Sequence, residues 1–576
     1  MQLCLCLADV VSDGHGKPLA TGPGPSESSG RWPYRPSHCH GVAVASLVAT
    51  GLGPASGTVR VSAGEPLTRL RRRLGRRRRP AMADPSRPEG SHGQSAAVVI
   101  IGAGFSGLGM AIKLKSAGMD DFIVLEEADE VGGTWRQNTY PGCASDIGSM
   151  LYSYSFEPKA DWSRMFPQRS ELWDYLKHCA DKYGVRSHIR FGVRCTGAEF
   201  DDAADQWRVF TEAGETLRAR ALVAGMGPLH LPKIPNLPGL ERFTGPAFHS
   251  SRWDHSVDLA GKRVAVIGTG ASATQFVPHI VGQTAMLYVF QRTPAWIIPR
   301  LDRRVSAVER RVFRRAPASQ RAMRYLLYWY QESWGVFLAH PRLIKVGQAI
   351  AGWRMRRQVA DPQLRRKLTP DYTMGCKRIL LSDDYYPTLA RPDVELVTER
   401  IAEVRERGIV TDDGVERAAD VIIFGTGFHV ADRFENAHIV GRDGLKIADV
   451  WRDGPQAYLG VAVAGFPNLF LLLGPNSGTG YNSAVFMLEA QIGHILRCLR
   501  LLQDRGARRI EVRSPAQSTL NRKLQDQLRR VAWNAGGCQS WYVDAHGVNR
   551  VIWPRSTVRF WLRTRWLRTA DYQLDT

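Results

Sequence analysis

Nine cysteines are spread over 576 residues with no C-x-x-C pair and no repeated spacing, so neither a disulfide framework nor a thiolate metal centre has a pattern to rest on. Reduced thiols are the expectation, and with them a cytoplasmic protein. Long hydrophobic runs are missing as well. The longest early one, GVAVASLVATGLG, is too short to cross a bilayer and lacks the basic flank and cleavage site of a signal peptide, which points to a soluble chain. H-E-x-x-H, G-x-S-x-G and the P-loop are all absent, which removes the zinc-protease, serine-hydrolase and P-loop readings. No metal site is expected. Cys143 has no close cysteine partner, so the paired thiols of a flavin disulfide reductase are excluded too.

What is present is globular: 44% hydrophobic and 23% charged residues, in a chain long enough for two or three domains. The net charge of +22 is unevenly placed. Residues 1 to 81 carry 12 basic against 4 acidic residues, Arg303 to Lys367 carries 16 against 3, and the remainder is nearly neutral. Residues 1–93 show no sustained periodicity and read as a disordered low-complexity extension, with HCH at 38–40 a chance occurrence. A basic tail for nucleic acid, a transit peptide and an upstream extension before a start at Met82 all fit this composition. The Met82 start is the expectation, and no nucleic-acid partner is expected.

From Ala96 the pattern becomes α/β. AAVVIIGAGFSGLGMAIKLKSAG and FIVLEE read as strand, glycine turn, helix and second strand, and KRVAVIGTGASATQFVPHI with MLYVFQR repeats the unit. RALVAGMG and ADVIIFGTGF each read as a strand running into glycine. The fold class expected is α/β, with two Rossmann-like dinucleotide-binding domains and a helical insertion at about 303–367. The division expected is 94–250 for the first part of one domain, 251–395 for the second domain with the insertion, and 396–576 for the rest of the first.

Gly102, Gly104 and Gly107 form G-x-G-x-x-G between strand and helix. The first glycine makes the turn, the second lets the backbone approach a pyrophosphate, and the third brings helix against strand. Glu126 ends the next strand, where a carboxylate accepts from ribose hydroxyls. The second set is Gly268, Gly270 and Ala273, followed at the strand end by Gln291, Arg292 and Thr293 instead of an acid. A cation there favours a 2′-phosphate and so NADPH, although a solvated strand-end arginine is the plainer reading. Two such sites suggest a resident flavin and a diffusing hydride donor.

Two further stretches make a resemblance specific. GGTWRQNTYPGCASD, Gly132 to Asp146, includes Trp135 and matches [AG]-G-x-W-x-x-x-x-[FY]-P-[GM]-x-x-x-D throughout. Phe243, Gly245, His249, Trp253 and Asp254 match F-x-G-x-x-x-H-x-x-x-W-[PD]. In both, the chain resembles the type I Baeyer–Villiger monooxygenases, from about Ala96 into the last hundred residues. The resemblance implies FAD and NADPH as cofactors, and O2 with a ketone as substrates. It also implies insertion of one oxygen through a flavin peroxide to give an ester or lactone. Oxygenation of sulfur or amine nitrogen, as in ordinary flavin-containing monooxygenases, is the alternative.

The resemblance also implies roles for single residues. Lys377 and Arg378 lie in a K-R motif after the insertion, making Arg378 the catalytic cation and Lys377 a partner of Arg292 at the 2′-phosphate; a structural ion-pair arginine is the plain alternative. Asp146 would orient that guanidinium, or simply cap a helix. Gly245, His249 and Trp253 would couple the two domains, Gly245 as a flexible point, though His249 taken alone is as well read as a structural histidine. Asn476, in GPNSGTGYNS, belongs to a segment that closes over the flavin ring. The basic, aromatic insertion reads as a packed lid with solvated faces or as a peripheral membrane contact. Oligomeric state is not legible.

Overall fold

The computed structural model describes residues 95–430, 438–544 and 546–576. The extension 1–93 and its Met82 start lie outside the described residues.

Strand Ser95–Ile101 is the axis of the first sheet. It pairs in parallel with Phe122–Glu126 on one side and Thr216–Ala224 on the other, which is why its sequence is a continuous apolar run, with Val99 and Ile100 fully buried. In spatial order the sheet runs His438–Val440, Cys195–Asp201, Gln206–Thr211, Thr216–Ala224, Ser95–Ile101, Phe122–Glu126, Ile189–Phe191, with Leu469–Leu471 joined to the far end of Thr216–Ala224. Helices Phe105–Ser116, Arg169–Lys182 and Ala484–Asp504 pack together on one face, around Leu108, Met110, Leu176 and Met487.

The second sheet is entirely parallel, in the order Val394–Val397, Met286–Phe290, Arg263–Ile267, Val421–Phe424, Ala247–His249. Its strands therefore run from 247 to 424, and the expected boundaries at 250 and 395 both miss. After Val394–Val397 the chain makes a three-stranded antiparallel excursion between Ile401 and Ala418, then returns to fill the slot beside Arg263–Ile267. That return depends on strand pairing over some 150 residues and leaves no local mark. The chain rejoins the first sheet at His438–Val440, beside Cys195–Asp201.

Between the two crossovers the insertion is helical, as Ala307–Arg315, Pro317–Ala339, Pro341–Gln358 and Pro362–Leu368. Proline opens the last three, in the first turn where its missing N–H costs nothing. No helix among the described residues is long and apolar enough to cross a membrane.

One expectation is overturned. Cys376 and Cys538 form a disulfide, S–S 2.08 Å with their Cα atoms 6.1 Å apart, across a sequence separation of 162 residues. A lone long-range pair produces no spacing motif, so the sequence argument for reduced thiols could not see it. Cys143, Cys179, Cys195 and Cys498 are free.

Candidate active site

Both glycine sets land where a strand turns into a helix. Gly102 follows the first strand at φ +92°, Gly104 precedes helix Phe105–Ser116, and Gly107 lies in its first turn. A Cβ on Gly107 would sit 1.8 Å from the Gly102 carbonyl oxygen, so strand end and helix start meet through backbone alone. No side chain caps this helix and no carboxylate stands in its first turn, which presents its N-terminal amides to an anion. Glu126 is buried at the end of the next strand; its Oε2 accepts the Ala103 amide at 2.6 Å and its Oε1 the Ala128 amide at 3.0 Å. The carboxylate expected to face a ribose thus also holds the turn in shape.

The second set repeats this. Gly268 has φ +107° and a Cβ there would meet the Gly425 carbonyl oxygen at 2.5 Å, as one on Gly102 would meet Gly225 at 3.0 Å. Ala273 is fully buried in helix Ala271–Ile280. Gly270 is different in kind: a Cβ would find only the Gly425 oxygen, at 3.8 Å, so the backbone there borders open space. Gln291 turns inward and donates to the Lys367 carbonyl at 2.7 Å, whereas Arg292 is exposed. The Thr293 carbonyl accepts from Thr269 Oγ1 at 3.4 Å. Burial lowers the pKa of Lys377, and the nearby positive charge of Arg292 lowers it further. Two cations held together in this way suit an anion between them.

An ion pair joins the stretch ending in Asp146 to the segment that follows the insertion. Arg378 donates to Asp146 Oδ2 through Nε at 2.8 Å and through Nη2 as well, with both side chains about two-thirds buried. Asp146 begins no helix. The Asp146 carboxylate raises the Arg378 pKa, outweighing desolvation, so this guanidinium is a permanent cation. Tyr542 stands beside the pair. Its hydroxyl is buried and meets no hydrogen-bond geometry among the described residues; desolvation raises its pKa and the adjacent Arg378 opposes this, leaving it pushed up to about 12. Tyr152 completes the group, in edge contact with Trp135 at 5.5 Å, its phenol raised well above its usual range by burial and by Asp146. The Cys376–Cys538 bond ties the Arg378 segment to the one carrying Tyr542.

The stretch ending in Asp146 is bound across to the second helix. Gln275 donates to the Ala144 carbonyl at 2.9 Å and accepts from the Tyr140 hydroxyl at 3.0 Å. A Cβ on Gly142 would lie 2.5 Å from the His279 ring. Trp253 sits edge-on to Phe276 of the same helix at 5.3 Å and to Phe248 at 5.4 Å.

His249 lies at the end of a second-sheet strand, buried, with Nδ1 on the Ser251 hydroxyl at 2.8 Å and its ring edge-on to Phe428. Burial lowers its pKa to about 4 despite the nearby Gly427 carbonyl, which acts the other way. It is neutral at physiological pH and too enclosed for proton transfer. Gly245 is explained by space and not by flexibility: a Cβ would come 2.3 Å from the Asp420 carbonyl oxygen. The Asn476 amide nitrogen donates to the Asn549 and Ile552 carbonyls at 2.9 and 3.0 Å. Its side chain, with the Asn476 backbone amide on the Arg550 carbonyl, locks the loop against the segment 549–552.

Tyr152, Tyr542 and Gln275 escaped the sequence analysis. Gln275 stood inside the second glycine-helix pattern, but nothing local marked it as a contact to a residue more than 130 positions away.

The family described as flavin-binding monooxygenase-like matches residues 95–323. A Baeyer–Villiger monooxygenase of Streptomyces coelicolor is 46% identical over 479 residues, covering 83% of this chain and 92% of the relative. A Baeyer–Villiger monooxygenase of Pseudomonas aeruginosa is 46% identical over 498 residues, covering 86% and 94%. The solved structure of OTEMO in complex with FAD and NADP superimposes with a TM-score of 0.76 at 29% identity, over 83% of this chain and 99% of that one.

Proposed function

Because the chain belongs to the Baeyer–Villiger monooxygenases, we propose that the pair Arg378–Asp146 is the centre at which a ketone is oxygenated, with FAD held in the first glycine cradle and NADPH in the second. The enzyme is an FAD- and NADPH-dependent flavoprotein monooxygenase that converts a ketone into an ester or lactone. The residues present fit both cofactors. Gly107 allows no side chain, Gly270 borders open space, and neither helix carries a capping side chain or a first-turn carboxylate. The two binding units we infer are 95–224 with 438–576 for FAD, and 247–424, carrying the insertion, for NADPH.

A flavin bound there and reduced by NADPH would supply the activation of O2 by which one oxygen atom enters between the carbonyl carbon and its neighbour and the other leaves as water. The chain's own part is electrostatic. Asp146 takes Nε and Nη2 of Arg378 and so fixes the plane of the guanidinium, which stabilises the oxyanion formed as the carbonyl is attacked. A guanidinium is suited because it neither gives up its proton nor needs to rotate. Lys377 and Arg292 would hold the 2′-phosphate of NADPH, and Trp135 and Tyr152 would wall the flavin side. His249, Gly245 and Trp253 carry no proton in this account. They join the second sheet to the loop and helix that border the site.

The observation that carries the assignment is a permanent cation held on a carboxylate, beside Tyr152, which touches Phe105 of the first glycine helix, and two residues from Ala144, which is bonded to Gln275 of the second. Its test is Arg378→Ala, which should still bind FAD and be reduced by NADPH anaerobically yet form no ester from any ketone of a mixed panel. An Arg378→Ala enzyme that oxygenates ketones at the native rate would end the assignment.

A further inference from the structure

The insertion is built inside out on one side. Along Pro317–Ala339, 23 residues, the exposed positions Tyr325, Leu326, Trp329 and Val336 fall on one helical stripe and are 65%, 65%, 60% and 57% exposed. A solvated helix face would be polar there. The adjoining helix Pro341–Gln358 exposes Leu343 and Val346 beside Arg342 and Lys345, and Ala307–Arg315 exposes Val308 and Val312 beside Arg311. The three carboxylates of this region are withdrawn from that face. Glu309 is taken by Arg303 and the Ser306 cap, Glu332 is buried on Thr557 and Asn482, and Asp361 caps helix Pro362–Leu368.

The C-terminal helix adds the same mixture. Tyr328 bonds Thr557 at 2.8 Å, tying Thr557–Arg565 to the insertion; this helix exposes Trp561 and Leu562 beside Arg559 and Arg565, and Trp566 just after it is exposed too.

We propose that this face docks on the surface of an anionic phospholipid bilayer. Trp and Tyr among arginines, with Leu and Val between them, are the composition of an interfacial helix, aromatic rings at headgroup depth and cations toward the phosphates. Charge selects this occupant. A second copy of the chain would bring two basic faces together, since Arg303 to Lys367 carries 16 basic against 3 acidic residues, and residues 1 to 81, with 12 basic against 4 acidic residues, carry the same sign. The inner side of the same helix borders the active site: Leu327 packs on Gly148, Gly335 on Tyr481, and Leu338 on Gly375, three residues before Arg378. One helix diameter, about 10 Å, therefore lies between bilayer and site, which favours ketones that partition into lipid. That corollary rests on the ketone-oxygenation reading. The docking does not.

The test is flotation of the full chain with phosphatidylcholine vesicles, with and without phosphatidylglycerol, together with its hydrodynamic size. Binding is expected only with phosphatidylglycerol. Arg342→Gln with Lys345→Gln should weaken it about thirtyfold, at about fivefold per cation, and Trp329→Ser should weaken it without changing the flavin spectrum. Binding that survives both variants would assign the attraction to the arginine-rich segment 69–79 and overturn the proposal. Failure to bind, or a dimer dispersed by Trp329→Ser, would overturn it equally. None of these readouts depends on ketone turnover, so a docked protein with no Baeyer–Villiger activity would contradict the function and leave the docking standing.

Discussion

Arg378 is held by one oxygen of Asp146, through two donors, across a separation of 232 residues. The last residue of Gly132 to Asp146 and the cation after the insertion are therefore one unit, and each has a separable contribution. Asp146→Asn keeps the shape but loses the charge that fixes the guanidinium plane. It should lower kcat about a hundredfold while anaerobic reduction by NADPH stays within about twofold of the native rate. Stopped-flow reduction and steady-state turnover, measured on the same preparation, separate the two. Equal losses in both would mean that Asp146 serves the fold or the flavin and not the oxygenation.

The glycines divide into those excluded by protein and those excluded by ligand. Gly107→Ala drives a Cβ into the Gly102 carbonyl and should yield protein without flavin, read as the ratio of visible to ultraviolet absorbance. Gly270→Ala meets no atom closer than 3.8 Å and should fold with full flavin, yet raise the KM for NADPH about tenfold or more. Normal NADPH kinetics in Gly270→Ala would remove the second cradle from the account.

Arg292 and Lys377 should show themselves through cofactor choice. Arg292→Ala is expected to raise the KM for NADPH about tenfold to a hundredfold, the range for one charge-assisted contact, and to leave NADH kinetics nearly unchanged. A parallel loss with NADH would mean that Arg292 does not read the 2′-phosphate.

Acid should destabilise the protein through two buried histidines. Burial holds both His249 and His494 at about 4, below their ordinary value, so between pH about 6.5 and 4 the unfolded chain takes up protons that the native one refuses. Stability is complete above that window and falls as pH falls through it, by on the order of 2–3 kcal/mol for each histidine. Calorimetry across the window should show a falling transition temperature, less steeply in His249→Asn. A flat profile would contradict the burial argument.

What the sequence revealed, and what it hid, follows from range. Gly102, Gly104, Gly107, Gly268 and Gly270 were legible because their constraint is met within a few residues of strand and helix. Arg292 stood out as a change of sign at the strand end, and its role is a proposal. Asp146, Lys377 and Arg378 became candidates only through a family resemblance, for nothing near either partner announces the other. Tyr152, Tyr542 and the Cys376–Cys538 bond depend on segments brought together from afar, and Tyr542 looked like any aromatic. The boundary at 395 failed because an antiparallel excursion ahead of Val421–Phe424 resembles the start of a new domain. Gly245 was placed in the right motif for the wrong reason, its need being the closeness of Asp420.

The most direct measurement is turnover of a ketone panel with NADPH under oxygen-18 gas, with products weighed by mass spectrometry. Ketone oxygenation at this site requires esters or lactones heavier by a single labelled atom, formed in step with NADPH consumed. Unlabelled products, or NADPH oxidised to peroxide with ketones untouched and thioethers or amines oxygenated instead, would contradict it.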